Sequence, residues 1–433
     1  MNKFKLILKS ILVVVMLFTL VLVPPITADA SGREIVVNNF SGGRGYRLFI
    51  PSGYTPGDAL PLVVMLHGCA QSATEFRDGT RMNQLAEQEN FIVLYPEQST
   101  AANSTRCWNW FEPAHQRRGS GEPQIIVDMV RRVQSDFTVN ADAVFVSGLS
   151  AGGGMAVNLG VLYPDVFAAV APFAGIAYQA GTTMMNAFQA MSPGNTAVAP
   201  ATAARNASNQ VPASGRSIVP TIIFHGAPDF TVAPRASENI VTQMLEYNRI
   251  HGATIGNTPE TRSGSANGLN YSVQTFRNSN GDRMVEFHRI TGLGHAWSGG
   301  NGSIAHTDNR GPNASLLAWE FFQEVAGLDG DPVDPIDPVD PIDPVDPIDP
   351  VDPIDPVDPI DPVDPVDPID PVDPVDPPVE FIYVRANVNQ HSLAGRIPAG
   401  RFNHYFMIHG PMGAFNMYQV VGTNVWTSTR PSN

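Results

Sequence analysis

Cysteine is nearly absent from this chain: Cys69 and Cys107 are the only two among 433 residues. Clustered cysteines, an H-E-x-x-H pair and a phosphate-cradling glycine loop are all missing, so neither a metal nor a nucleotide enzyme is expected. The chemistry must then come from side chains alone, with no metal and no cofactor. Beyond the first 30 residues no stretch is apolar enough to span a bilayer. A basic surface is lacking too. The net charge is −15, yet sixteen aspartates recur at every third position from Asp331 to Asp376, and without them the balance is +1. The folded parts are therefore nearly neutral, and nothing argues for nucleic acid or an anionic membrane.

What is present begins with Lys3, Lys5 and Lys9, followed by an apolar run from Ile11 to Val23 and by Ala28-Asp29-Ala30. That order of charge, apolar core and small residues reads as a secretory signal peptide over 1–30, cut after Ala30. An uncleaved anchor is the competing reading, and the apolar core is short for one. Export puts the protein outside the cell in an oxidising medium, where Cys69 and Cys107 can pair in the single connectivity open to them. At 43% hydrophobic, the chain can fill one large core and a small second domain.

Residues 144–155, Val-Phe-Val-Ser-Gly-Leu-Ser-Ala-Gly-Gly-Gly-Met, organise the rest. A β-branched run ends abruptly at Gly148-Leu149-Ser150-Ala151-Gly152, and apolar residues then recur at helical spacing through Met155, Leu159 and Leu162. A strand turning at once into a helix around G-x-S-x-G is the nucleophile elbow of α/β-hydrolases. Ser150 is the candidate nucleophile. Around it, apolar runs at 61–66, 91–95, 168–173, 219–224 and 285–290 read as buried parallel strands. Helices are expected over 82–88, 123–137, 235–250 and 313–325, and residues 35–50 read as an edge hairpin turning at Gly42-Gly43. Residues 180–216 show little periodicity and suggest a loose insertion or lid. The fold class is α/β: a mainly parallel sheet with helices on both faces, over 31–329.

A serine hydroxyl needs a base, and the base needs an orienting acid; α/β-hydrolases carry them in the order serine, acid, histidine. Strand 219–224 ends in His225-Gly226-Ala227-Pro228-Asp229, and strand 285–290 ends in Thr291-Gly-Leu-Gly-His295-Ala-Trp297. Asp229 and His295 thus fall on loops at the carboxyl edge of the sheet, where catalytic groups gather. His225, His288 and His306 are weaker candidates for the base. The oxyanion donors are expected at the N–H of Ala151 and of Cys69, with His67 stabilising the turn. A Cys69–Cys107 bridge would pin this loop to Trp108-Asn109-Trp110-Phe111. Trp108, Trp110 and Trp297 are candidates for substrate contact; the aromatic run is equally compatible with core filling.

Beyond Leu328 the composition changes. In the linker, 330–378, Asp-Pro-Val or Asp-Pro-Ile repeats force a polyproline-type spacer with its aspartates along one edge about 9 Å apart, reaching on the order of 150 Å. Residues 379–433 return to aromatic and β-branched runs broken by glycines, the pattern of a small β-rich module.

Together, Leu66-His-Gly-Cys-Ala-Gln71, Cys107-Trp-Asn-Trp-Phe111, Gly148-Leu-Ser-Ala-Gly-Gly153, His225-Gly-Ala-Pro-Asp229 and Gly294-His-Ala-Trp297 resemble the esterase family of secreted polyhydroxybutyrate depolymerases, in the type 1 arrangement with a mid-domain serine box. That family is also similar to feruloyl and acetylxylan esterases. The tail, with His391 before Ala394-Gly-Arg396 and Trp426-Thr-Ser-Thr429, is similar to the polyester-binding domain of the same enzymes. The resemblance implies a serine esterase acting on ester bonds of an insoluble polyester granule, and a monomer is expected. A feruloyl or acetylxylan esterase with a polysaccharide-binding tail is the alternative it leaves open.

Overall fold

The computed structural model describes residues 32–328, together with the backbone of three short strands further along the chain. The expected signal peptide, the linker, His391, Arg396 and the side chain of Trp426 lie outside the described residues.

In chain order the strands are β1 (Arg33–Ser41), β2 (Arg44–Ile50), β3 (Leu60–Leu66), β4 (Ile92–Glu97), β5 (Val139–Leu149), β6 (Ala169–Phe173), β7 (Thr221–Gly226), β8 (Glu260–Ala266), β9 (Leu269–Arg277) and β10 (Arg283–Ile290). They form one ten-stranded sheet in the order β1-β2-β4-β3-β5-β6-β7-β10-β9-β8. Every pairing from β4 to β10 is parallel, and both flanks are antiparallel. This is the expected α/β architecture with a hairpin added at each edge. Two-residue strands β11 (Trp297–Ser298) and β12 (Thr307–Asp308) pair outside the sheet. The distant strands β13 (Phe381–Asn387), β14 (Ala414–Val420) and β15 (Trp426–Thr427) make a separate antiparallel sheet.

The helices are α1 (Ala73–Thr80), α2 (Met82–Glu89), α3 (Gly121–Asp136), α4 (Ala151–Leu162), α5 (Met184–Met191), α6 (Pro200–Ser208), α7 (Pro234–Ile250) and α8 (Ala314–Ala326). Successive residues of a strand face opposite sides, which explains why the central strands are apolar throughout. In β3, Leu62, Val64 and Leu66 join the core beneath α3, α4, α6 and α7, whereas Val63 and Met65 join that beneath α1, α2 and α8. On the second face Phe145 stacks on Phe322 at 4.5 Å and Phe91 on Trp319 at 4.1 Å. Each such pair contributes about 1 kcal/mol beyond the area it buries.

Residues 180–216 are not a loose lid. They hold α5 and α6, whose alanines Ala187, Ala190, Ala203, Ala204 and Ala207 are buried in the first core. Alanine faces carry a weak apolar signal but allow close packing, and each helix has its own start signal. Thr183 and Asn186 form a reciprocal capping box, and Pro200 opens α6. The hairpin β8–β9 was not anticipated either, although its turn, Asn267-Gly268, has both residues at positive φ.

Candidate active site

The elbow at Ser150 is held in a conformation that ordinary residues avoid, with φ 59° and ψ −119°. The Ser150 N–H donates to Phe173 O (2.9 Å), and its carbonyl accepts from Gly154 N–H at the start of α4 (2.9 Å). Strand and helix approach so closely that a Cβ at Gly152 would lie 2.1 Å from Leu66 O, and one at Gly148 would lie 2.5 Å from Gly152 O. Any side chain there would push β3 off α4, so the glycines of the motif are steric requirements. Ser150 is 4% exposed.

The loop after β3 lies directly against this turn: a Cβ at Gly68 would sit 3.6 Å from Ser150 Cβ. Its amides are largely committed. Gly68 N–H donates to Gln71 Oε1 (2.9 Å), Ala70 N–H to Thr105 O (2.7 Å) and Gln71 N–H to Gly68 O (3.3 Å). That leaves Cys69 as the loop's candidate donor, alongside Ala151 at the first position of α4, where backbone N–H groups have no partner within the helix.

Supports for this loop extend well behind it. Cys69 and Cys107 form a disulfide. Gln98 N–H donates to His67 Nε2 (3.0 Å), so the ring proton sits on Nδ1 and is donated to Gly68 O (2.8 Å). Burial lowers the pKa of His67, and its two ring bonds tie it into the turn. Gln98 also holds Cys107 O (3.0 Å) and Glu122 Oε1 (2.6 Å). The fully buried Glu122 carboxylate accepts in addition from Arg44, Asn109 N–H and Asn109 Nδ2, each at 2.7 Å. No local pattern pointed to Glu122 or Gln98, because their partners are dispersed through the chain. The disulfide closes a separation of 38 residues, worth about 4 kcal/mol by chain entropy. Replacing both cysteines by serine should therefore lower the unfolding free energy by about 2–4 kcal/mol in denaturant titrations. It should also lower kcat more than it raises KM, because the loop loosens rather than disappears.

Asp229 and His295 meet. His295 Nδ1 donates to Asp229 Oδ2 at 2.6 Å, and Asp229 Oδ1 accepts from the N–H groups of Thr231 (2.8 Å) and Val232 (2.9 Å). Burial pushes the Asp229 carboxyl up, but the charges and hydrogen bonds of His295 and His225 outweigh it, leaving the pKa well below the usual carboxylate range. The two loops are pressed together at Gly226, where a Cβ would lie 2.1 Å from Leu293 O. The His295 side chain is 11% exposed. The ring of His306 stands edge-on to it, with centroids 6.1 Å apart. The adjacent Ala305 O accepts from Gln71 Nε2 (3.0 Å), so one hydrogen-bonded path joins the loop beside Ser150 to the loop beside His295.

His225 and His288 are held inside the fold, His225 also 3.4 Å from Asp229 Oδ2. His225 lies between Ser237 Oγ (2.7 Å) and Val232 O (2.8 Å), and His288 bonds the buried Glu286 (2.7 Å). Trp297 corrects the expectation of substrate contact. It is fully buried between Phe76 and Phe173, with its indole N–H on Ser315 Oγ (3.1 Å), and has no free face. Trp108 and Trp110 are nearly as buried, but both line a cavity of about 140 Å³ that reaches Cys69. Among the described residues no group of three His, Cys, Asp or Glu side chains is placed to hold a metal ion, and no helix is long and apolar enough to cross a membrane.

A serine at a strained elbow, amide donors beside it and a histidine fixed by a buried carboxylate are what acyl transfer requires. The family model for esterase PHB depolymerases matches residues 44–266, just over half of the chain. The chain belongs to this family. Among its relatives is the poly(3-hydroxyalkanoate) depolymerase C of Paucimonas lemoignei, 38% identical over 264 residues, which make up 60% of each chain. The poly(3-hydroxybutyrate) depolymerase of Ralstonia pickettii is 30% identical over 57% of this chain and 50% of its own. The chain thus spans between half and two thirds of the length of these depolymerases. In fold it matches an acetyl xylan esterase from Aspergillus awamori (TM-score 0.54, 22% identity), covering 68% of this chain and all of that one. The family placement and this match give the domain an α/β-hydrolase fold.

Proposed function

We propose that the protein is a secreted serine esterase that hydrolyses the ester bonds of solid poly(3-hydroxybutyrate)-type polyesters. Ser150 Oγ attacks the ester carbonyl while His295 Nε2 takes its proton, and the Ala151 and Cys69 N–H groups receive the developing oxyanion. His295 then returns the proton to the departing alkoxide, and water releases the hydroxyacid from Ser150 by the same steps. Asp229 keeps the imidazole in the tautomer with its proton on Nδ1, leaving Nε2 free to accept. The observation that carries this is the 2.6 Å contact between buried Asp229 and His295, on the sheet edge where the Ser150 elbow opens.

The polyester substrate is supported by the depolymerase relatives and by the tail. A second module on a long spacer raises the local concentration of a catalytic domain at a solid surface, which a soluble ester does not need. The fold match to an acetyl xylan esterase favours acetylated polysaccharide as the second reading. Release of hydroxybutyrate against release of acetate from matched substrates separates the two.

The test compares the full chain with a form ending at Leu328. The shorter form should keep its kcat/KM on soluble esters while losing about 10²-fold or more of its attack on polymer granules. Equal granule clearing by the two forms would leave the tail without a role in binding polymer.

A further inference from the structure

His295 sits on a short bridge between two fully buried anchors, Leu293 and Trp297. The glycines of that bridge leave it permissive: Gly292 has φ +83°, and a Cβ at Gly294 would meet no atom within 4 Å. Asp229 holds the imidazole at one atom, Nδ1, and a ring held at one atom can still swing about its soft terminal torsion. A second contact is needed to fix the plane in which Nε2 points.

Segment 304–307 lies against this bridge and is pinned along its length. Ala305 O accepts from Gln71 Nε2 (3.0 Å), and Gln71 Oε1 in turn holds Gly68 N–H (2.9 Å), next to the Cys69 donor. His306 O accepts from Trp297 N–H (2.8 Å), and Thr307 pairs with Trp297 in the β11–β12 ladder. Ile304 and Thr307 also pack on the end of α1, since a Cβ at Gly79 would lie 2.7 Å from Thr307 Cγ2 and 3.3 Å from Ile304 Cγ2. Together these contacts hold His306 at φ 61°, a left-handed conformation that is costly for a residue with a side chain and persists where its surroundings over-determine it. There its ring stands edge-on to the His295 imidazole, 6.1 Å between centroids, and hydrogen-bonds the His295 backbone. Burial and the neighbouring imidazole lower the His306 pKa despite that bond, which favours a neutral ring beside the imidazolium that forms in catalysis.

We propose that His306 is a positioning residue for ester hydrolysis: its ring sets the plane of the His295 imidazole, and the Ala305–Gln71 link ties that plane to the oxyanion loop. This rests on the esterase reading above, with His295 as the base, and deepens it.

The test measures kcat and KM for p-nitrophenyl butanoate with the full chain, Tm, and the downfield proton resonance of the His295–Asp229 hydrogen bond. His306→Gly removes the ring and the backbone strain together. It should lower kcat about 10²-fold with KM within about twofold, the cost of a base displaced by about 1 Å. Its Tm should stay within about 3 °C of wild type, because relief of strain offsets the greater freedom of the unfolded chain. The downfield resonance should broaden. His306→Asn, which tolerates the same backbone and keeps a side-chain donor, should recover about tenfold of the lost kcat. Wild-type kcat in His306→Gly would overturn the positioning role. So would a variant that fails to fold, or a loss of kcat that tracks a fall in Tm and is not relieved by His306→Asn, since either would make the residue merely structural. His295→Ala separates this inference from the reading beneath it: full activity there would overturn the base itself, whereas inactivity there beside a fully active His306→Gly would overturn the positioning alone.

Discussion

Replacing Ser150 with alanine is expected to lower kcat on a soluble ester by about 10⁶-fold, with adsorption to polymer granules unchanged. That magnitude is the cost of removing a nucleophile that acts as one unit with its base. The loss should fall short of a return to uncatalysed hydrolysis, since the amides of Cys69 and Ala151 remain aimed at the carbonyl and retain about 10³-fold over water. Single-turnover kinetics with an activated ester check this directly: the acyl-enzyme burst should vanish. A variant that kept a burst would place the nucleophile elsewhere.

Asp229→Asn should be the next most damaging change, lowering kcat by about 10⁴-fold with little effect on KM. The shape of the side chain survives, and its Oδ1 can still accept from Thr231 and Val232 N–H. Its new amide would then face His295 Nδ1 as a donor, forcing the ring proton onto Nε2, where it blocks uptake of the serine proton. The same substitution carries a pH signature. The folded pKa of Asp229 is depressed, so its ionised form adds stability above the ordinary carboxylate value of about 3.9, and this is lost as pH falls below that value. The difference in Tm between wild type and Asp229→Asn should accordingly be wide above about pH 4 and shrink below it. A difference that grows on acidification would contradict the assignment of the low pKa.

Much of the site is legible in the sequence because each proposed catalytic group ends a buried strand. Ser150, Asp229 and His295 follow β5, β7 and β10, and the glycines around them mark places where two backbones meet, as Gly152 with Leu66 and Gly226 with Leu293 show. What supports the site is far less legible. Glu122 gathers donors from residues 44, 98 and 109, and contacts so distant leave no local periodicity to read. Trp297 misled because an aromatic two residues from the proposed base, His295, suggests a cleft wall. The chain instead turns it inward as β11 begins, and Phe76 meets it edge-on at 5.5 Å. Strand β8 escaped notice because it runs along the sheet's edge, largely exposed on both faces, without the apolar alternation that marks a half-buried strand. The small helix α1 had its signal, the capping box of Ser72 and Glu75, in too short a stretch to declare an amphipathic face.

The most direct measurement is covalent labelling of the full chain with a fluorophosphonate, followed by mass spectrometry of its peptides. The expected result is one adduct, on Ser150, abolished by Ser150→Ala and slowed by His295→Ala in step with esterase activity. An adduct on another residue, or ester hydrolysis that persists in a chain the reagent never labels, would contradict the account.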